Sequence, residues 1–372
     1  MKHRIKNAIV LLDNRYHPDV SVLIEDGKIA AIGKDADLAA VDAETDATGE
    51  VLLPGLVDVH THGRGGYDFN DASVEELKKL KRLYAAEGVT SVFATLSSAP
   101  LPAWQDAIAR IQEAGFDGIH LEGCFLHPNR RGAHREDLLL PLEKDAILSL
   151  LSHIHIPCHV TAAYELDADG SFIAAALRHG ATLGLGHTNA TYDEAMLALS
   201  RGVRSFSHLY NAMPPLHHRA GGAVAAALTT NAYAELICDG FHVSPEMVTM
   251  TAQVKGTGYL ALISDSLPAA GCADGDYFSA GLPVTVKDGK AYTSEGAIAG
   301  STSSLFDGLK NLVRFTGIPL ATAIDAATIT PARMVGIDKT VGSIAIGKRA
   351  DLLLITPDFQ LTAVFAAGER IR

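Results

Sequence analysis

The sequence is short of cysteine, of positive charge and of long apolar runs, and each shortage narrows what the chain can do. Its four cysteines, Cys124, Cys158, Cys238 and Cys272, lie far apart and form no Cys-x-x-Cys pair. With no signal peptide either, a reduced cytoplasmic setting is the simplest expectation. No stretch approaches the roughly twenty apolar residues of a membrane span, so no membrane partner is expected. Lys plus Arg number 31 against 43 Asp plus Glu, a net charge of -12, and no long basic cluster occurs. Nucleic acid is therefore not the expected partner, and an anionic substrate would need a local cation.

What is present is globular. Hydrophobic residues make up 48% and charged residues 20% of 372 positions, enough for one large domain with a smaller one attached. The first fifty residues contain short β-type runs, Asn7 to Leu12, Val20 to Glu25 and Lys28 to Ile32, with a hairpin turn at Glu25-Asp26-Gly27-Lys28. The last thirty have the same character, at Gly342 to Lys348, Ala350 to Thr356 and Gln360 to Phe365. We expect these ends, residues 1–52 and 343–372, to form one small β-sandwich domain.

Between them, apolar strands alternate with segments of helical period, as in Ser73 to Glu87, Ala103 to Ala114, Ala190 to Arg201 and Pro245 to Lys255. Strand-like runs end near His62, Leu96, Glu122, Glu165, His187, His208, Asp239 and Asp265. Eight strands with helices between them predict a (β/α)₈ barrel over residues 53–342, an α/β fold. The rival, an open doubly wound sheet, needs a phosphate-binding glycine fingerprint after its first strand. That position carries His60-Thr61-His62-Gly63 instead.

Barrel chemistry collects at the C-terminal ends of strands, and this filter selects among the polar residues. His60 and His62 lie one residue apart on a strand, point the same way, and can close on one metal ion. Glu122, His187 and His208 each end a separate strand, and one carboxylate with two imidazoles suits a catalytic divalent metal that keeps a position for water. Asp265 ends the eighth strand, where a carboxylate can take a proton from water and later deliver it to a leaving group. His134, on the polar loop after Glu122, is placed to polarise a carbonyl. Arg219, on the loop from His208, and His242, after the seventh strand, suit an anion such as phosphate. The filter rejects His153-Ile154-His155, which precedes its strand; we expect His120 to face the helical layer and His3, His17 and His179 to lie on the surface.

With these residues laid out, the chain resembles the amidohydrolase superfamily, and within it the N-acetylglucosamine-6-phosphate deacetylase family, over essentially its whole length. The resemblance rests on His120-Leu121-Glu122-Gly123 followed by Gly132-Ala133-His134, on Gly186 to Tyr192, and on His208-Leu209-Tyr210-Asn211-Ala212-Met213. Asp239-Gly240-Phe241-His242-Val243, Ser264-Asp265 and Ile298-Ala299-Gly300-Ser301-Thr302 complete it.

It implies hydrolysis of an N-acetyl group on a phosphorylated amino sugar, giving the amino sugar phosphate and acetate. It implies a main divalent metal on Glu122, His187 and His208, Asp265 as general acid and base, and His134 as a catalytic contact to the acetamido carbonyl or sugar. Backbone groups at Asn211, Ala212, Ile298, Ala299 and Gly300 would line the substrate pocket. Arg219 and His242 would bind the 6-phosphate, the arginine reaching a neighbouring subunit's site in a homodimer. Because His60 and His62 are present, a second metal bridged through Glu122 is possible. Carboxylate and imidazole ligands accept zinc, iron, manganese or cobalt. The rival substrates are N-acetylgalactosamine 6-phosphate, or those of another amidase or deaminase of the superfamily. The chain departs from the family pattern at Cys124, at Ala220-Gly221 and at Ser266-Leu267-Pro268.

Overall fold

The computed structural model describes residues 1–372. Eight parallel strands run in chain order around a barrel: Leu56–Thr61, Val89–Leu96, Gly118–Glu122, Cys158–Ala162, Thr182–Leu185, Ser205–Phe206, Tyr233–Ile237 and Leu260–Ile263. The last meets the first where the Asp265 amide donates to the His60 carbonyl at 2.9 Å and the His62 amide to the Ser266 carbonyl at 2.8 Å. Outward side chains such as Val57, Val59, Ala261 and Ile263 pack under the surrounding helices.

The helices start where local chemistry predicts. Ser73 and Glu76 form a reciprocal capping box at the head of Val74–Ala86, and Thr191 and Glu194 do the same for Tyr192–Ser200. Leu77, Leu80 and Tyr84, three and four residues apart, supply the buried stripe of the first of these. One helix end depends on a distant residue. Lys255 is 7% exposed, and its Nζ donates to the carbonyls of Ala227, Thr230 and Ala232 at 2.6 to 2.8 Å, satisfying the end of helix Gly222–Thr229. Lys255→Met should leave these carbonyls unpaired and lower stability by about 3 kcal/mol. This would appear as a lower denaturation midpoint at unchanged slope; an unchanged midpoint would contradict it.

Both chain ends build the second large sheet. Its order is Glu369–Arg370, Leu361–Ala366, Leu352–Ile355, Val51–Pro54, Lys2–Leu12, Arg15–Glu25, Lys28–Ile32, with Ala43–Asp46 also pairing with Lys2–Leu12. Asn7, at φ 59°, marks the irregularity where Lys2–Leu12 changes partner from Ala43–Asp46 to Val51–Pro54. Arg349 fastens this sheet beneath the barrel, donating to Asp117 at 2.5 Å, Asp351 at 2.6 Å and Ser91 at 2.7 Å. These partners lie at strand starts, so the C-terminal ends of the barrel strands stay free for chemistry.

The structure differs from the sequence expectations at several points. Gly342 to Lys348 forms turns rather than a strand, with Gly342 at φ 83° in a site that a Cβ would crowd against the Thr328 carbonyl. The fourth barrel strand stops at Ala162, and Glu165 sits in a short 3₁₀ turn where it accepts from Thr188 Oγ1 and the Asn189 amide at 2.7 Å each. His3 is buried, edge-on to Phe365 and bonded to Thr45.

The largest unforeseen element is a three-stranded antiparallel sheet inserted after the eighth strand, Gly275–Ser279, Leu282–Lys287 and Lys290–Thr293. Its turns are Ala280-Gly281 and Asp288-Gly289, with all four residues at positive φ between 51° and 71°, the geometry that matches strand twist in tight hairpins.

Candidate active site and metal centre

Three of the strand ends turn through left-handed backbone. His187, His208 and Asp265 have φ of 46°, 28° and 46°, a region non-glycine residues rarely occupy and one that concentrates at functional sites. The turn aims each side chain inward over the barrel mouth.

The carboxylate of Glu122 is where these side chains meet. Its Oε2 lies 2.9 Å from His60 Nε2 and 3.0 Å from His62 Nε2, and its Oε1 lies 3.0 Å from His208 Nε2 and 3.4 Å from His187 Nε2. Asp265 Oδ1 is 3.3 Å from His62 Nε2 and 3.6 Å from His60 Nε2. Donor atoms of His60, His62, Glu122 and Asp265 lie within 4.8 Å of one another, and so do those of Glu122, His187 and His208. The structure thus draws all five expected ligands and Asp265 into two groups that share Glu122.

Hydrogen bonding tests whether these groups suit cations. His187 Nδ1 faces the Arg130 carbonyl at 2.7 Å, and a carbonyl only accepts, so the proton is on Nδ1. In the neutral ring Nε2 is then a lone pair aimed at the Glu122 carboxylate. Two lone pairs face each other, which fits a cation between them. In the chain alone, burial disfavours charge on His60, but Glu122 and Asp265 outweigh it and raise its pKa. Burial likewise pushes Glu122 up, while His60, His187 and His208 pull it well below the usual carboxylate range. Cation uptake here would displace protons from the imidazoles.

Over these groups lies a cavity of about 380 Å³, within the usual range for small-molecule sites. His62, Glu122, His134, His242 and Asp265 line it, together with Asn211, Ala212, Ile298, Ala299 and Gly300. Gly300, at φ 71°, is where the chain passes so close to the Asp265 carbonyl that a Cβ would lie 3.0 Å from it. Ser279, Ala280 and Val284 bring the inserted sheet to the rim. His242 is fixed by Nδ1 donating to Asp239 Oδ2 at 2.7 Å. Arg219 is exposed on its loop, 2.8 Å from His218 Nε2, and lies outside this chain's own cavity.

Burial, and next the neighbouring His187 imidazole, push the His134 pKa down to about 3, so this ring is neutral. Ser98 Oγ reaches both His134 Nδ1 and the Gly123 carbonyl at 2.9 Å. The carbonyl only accepts, so the single hydroxyl proton goes to Gly123, the neutral His134 ring carries its proton on Nδ1, and Nε2 is left as an acceptor.

Two departures from the family pattern have structural accounts. Cys124 is buried, with Sγ 3.3 Å from the Ala99 carbonyl and its thiol pushed up to about 11 by burial. Ser266 turns away from the cavity and bonds Thr61 Oγ1 and the Gly63 carbonyl at 2.8 Å.

His120 corrects the sequence reading. It faces the barrel interior, its ring 4.4 Å from that of His60 and bonded to Thr161 Oγ1 at 2.7 Å. Residues two apart share a face, so His120 had to point the way Glu122 points.

Sequence reasoning also missed Ser97, whose Oγ is 2.7 Å from His62 Nδ1, and Glu235, the one charged residue within the otherwise apolar run Ala234 to Ile237. That interruption was the available signal for Glu235. Ser97 carried none beyond following a strand end.

The Amidohydrolase family model matches residues 51–371. The chain is 32% identical to an N-acetylglucosamine-6-phosphate deacetylase from Vibrio furnissii, covering 99% of this chain and 95% of that one. It is 34% identical to an N-acetylgalactosamine-6-phosphate deacetylase from Escherichia coli O157:H7, covering 99% of each. Its fold superposes with a TM-score of 0.91, at 31% identity and covering 100% of this chain and 99% of the other, on a point mutant of Mycobacterium smegmatis N-acetyl-D-glucosamine-6-phosphate deacetylase in complex with N-acetyl-D-glucosamine-6-phosphate.

Proposed function

Because this chain belongs to the amidohydrolase family, we propose that it removes the acetyl group from N-acetylglucosamine 6-phosphate, giving glucosamine 6-phosphate and acetate. The observation that carries this is one cavity lined by Asp265, a neutral His134 and three of the four imidazoles that surround a single buried carboxylate.

A divalent cation held by Glu122, His187 and His208 would supply Lewis acidity toward the amide carbonyl and acidify water. The chain's residues do the rest. His134 Nε2, the unprotonated nitrogen of a neutral ring, accepts a hydrogen bond from a hydroxyl of the bound sugar and so orients it. Asp265 accepts the proton of the attacking water, whose oxygen forms the new C–O bond. Asp265 then gives that proton to the amine nitrogen as the C–N bond breaks, so water is consumed and acetate and amine leave. Backbone groups at Asn211, Ala212, Ile298, Ala299 and Gly300 hold the sugar, and His242 receives the phosphate. Arg219 would complete the phosphate site from a second copy of the chain.

His242→Ala should raise KM for the phosphorylated sugar about ten- to a hundredfold, the loss of one charge-assisted hydrogen bond. The weak turnover of the unphosphorylated sugar should change little; equal losses on both would move His242 out of the phosphate site.

The Escherichia coli relative gives one specific reason for a second reading, the galactosamine epimer. Comparing kcat/KM on the two 6-phosphates and on unphosphorylated N-acetylglucosamine separates the cases. The expected order has the gluco 6-phosphate first. Galacto first would favour the epimer, and no benefit from phosphate would overturn both readings.

A further inference from the structure

Below the cavity the barrel interior is polar. His60, His120, His159, Thr161 and Glu235 are all fully buried there, where bulky aliphatic residues usually fill such barrels. Within this layer Glu235, on strand Tyr233–Ile237, is in contact with both halves of the centre above. Its Oε2 lies 2.9 Å from His60 Nδ1 and 3.2 Å from the backbone nitrogen of His208. Its Oε1 is 3.6 Å from His159 Nε2 and has no hydrogen-bond partner.

A fully buried carboxylate is costly unless something uses its charge, and its only ion-pair neighbours are imidazoles. Of the other three rings on Glu122, His62 and His187 have neutral anchors, the Ser97 hydroxyl and the Arg130 carbonyl, and His208 Nδ1 has no partner. His60 alone is backed by an anion. Such a partner fixes the tautomer and ring orientation of a metal-binding histidine and makes its other nitrogen a better donor.

We propose that Glu235 is the positioning residue for the His60 and His62 half of the centre. It holds the His60 proton on Nδ1, turns the Nε2 lone pair toward Glu122 and Asp265, and thereby enables a second cation to bind beside the one on Glu122, His187 and His208. This rests on the metal-centre reading above.

The test is Glu235→Gln, which keeps the shape and removes the charge. Zinc content is measured by elemental analysis, and the affinity of each ion by chelator competition, with the wild type and a His60→Ala/His62→Ala variant as references. The wild type should bind two ions per chain and the double variant one. Glu235→Gln should bind the second ion about ten- to a hundredfold more weakly, the usual effect of removing such a partner, with the first ion unchanged. In the double-variant background it should have no further effect on metal affinity.

Two ions at wild-type affinity in Glu235→Gln, equal weakening of both ions, or a wild type that takes a single ion would each overturn the proposal. If the variant does not fold, histidine-selective ¹⁵N spectra of the zinc-loaded wild type decide. The signals assigned to His60 must show the proton on Nδ1, and a proton on Nε2 overturns the assignment. Deacetylation of the sugar phosphate by the wild type is a separate measurement, so failure of the substrate reading would leave two-ion binding intact, and failure here would leave turnover on the first ion intact.

Discussion

Asp265→Asn is expected to lower kcat by about a thousandfold or more with KM for N-acetylglucosamine 6-phosphate changed only a few-fold. The amide keeps the shape of the carboxylate but cannot take a proton from water, and general acid and base catalysis by one side chain is worth about 10² to 10⁴. Asp265 would act twice, as base and then as acid, which puts the loss in the upper part of that range. In the chain alone burial pushes the Asp265 carboxyl up, while His60 and His62 outweigh it and hold it below its ordinary value. It is therefore ionised, the form a base requires. The ion on Glu122, His187 and His208 should be retained, because Asp265 belongs to the other donor group. Pre-steady-state and steady-state kinetics with elemental analysis of the same preparation check this. Normal turnover would remove Asp265 from the mechanism, and loss of all metal would recast it as a ligand.

Glu122→Gln should be as severe for activity and differ in metal content. Glu122 is the residue common to both donor groups, with Oε2 facing His60 and His62 and Oε1 facing His187 and His208. A neutral amide cannot offset the charge of two cations, and one end of it presents N–H donors rather than lone pairs. We expect both ions to be lost at micromolar free metal and turnover to fall by more than about 10³-fold, since Lewis acidity and activated water disappear together. The pairing with His60→Ala/His62→Ala is diagnostic: that variant should lose one ion and the Glu122 variant two. A Glu122 variant retaining one tightly held ion would show that the two sites do not share this carboxylate.

Much of this was legible because it depends on local rules. Alternation along a strand puts His60 and His62 on one face. Strand-to-loop transitions at Glu122, His187, His208 and Asp265 place those residues at the end of a barrel where chemistry collects. The capping boxes at Ser73 and Thr191 are likewise written within four residues. The same alternation rule, applied consistently, would have turned His120 inward with Glu122. The Asp288-Gly289 pair between β-rich runs was a hairpin signal for the inserted sheet.

By itself, then, the sequence determined the barrel, the sheet built from both ends, and most of the polar side chains at the barrel mouth, because period and burial are settled by neighbours along the chain. Only the tertiary structure decided which of those side chains touch. Glu235 meets His60 across 175 residues, Ser98 meets His134 across 36, and the Arg130 carbonyl meets His187 across 57. These pairings depend on the stagger between strands and on the paths of loops, quantities that arise only when the sheet closes. Closure likewise leaves Arg219 outside its own chain's cavity and sets the His120 ring edge-on to that of His60, since a barrel interior admits only the side chains that its diameter and tilt bring to the same height.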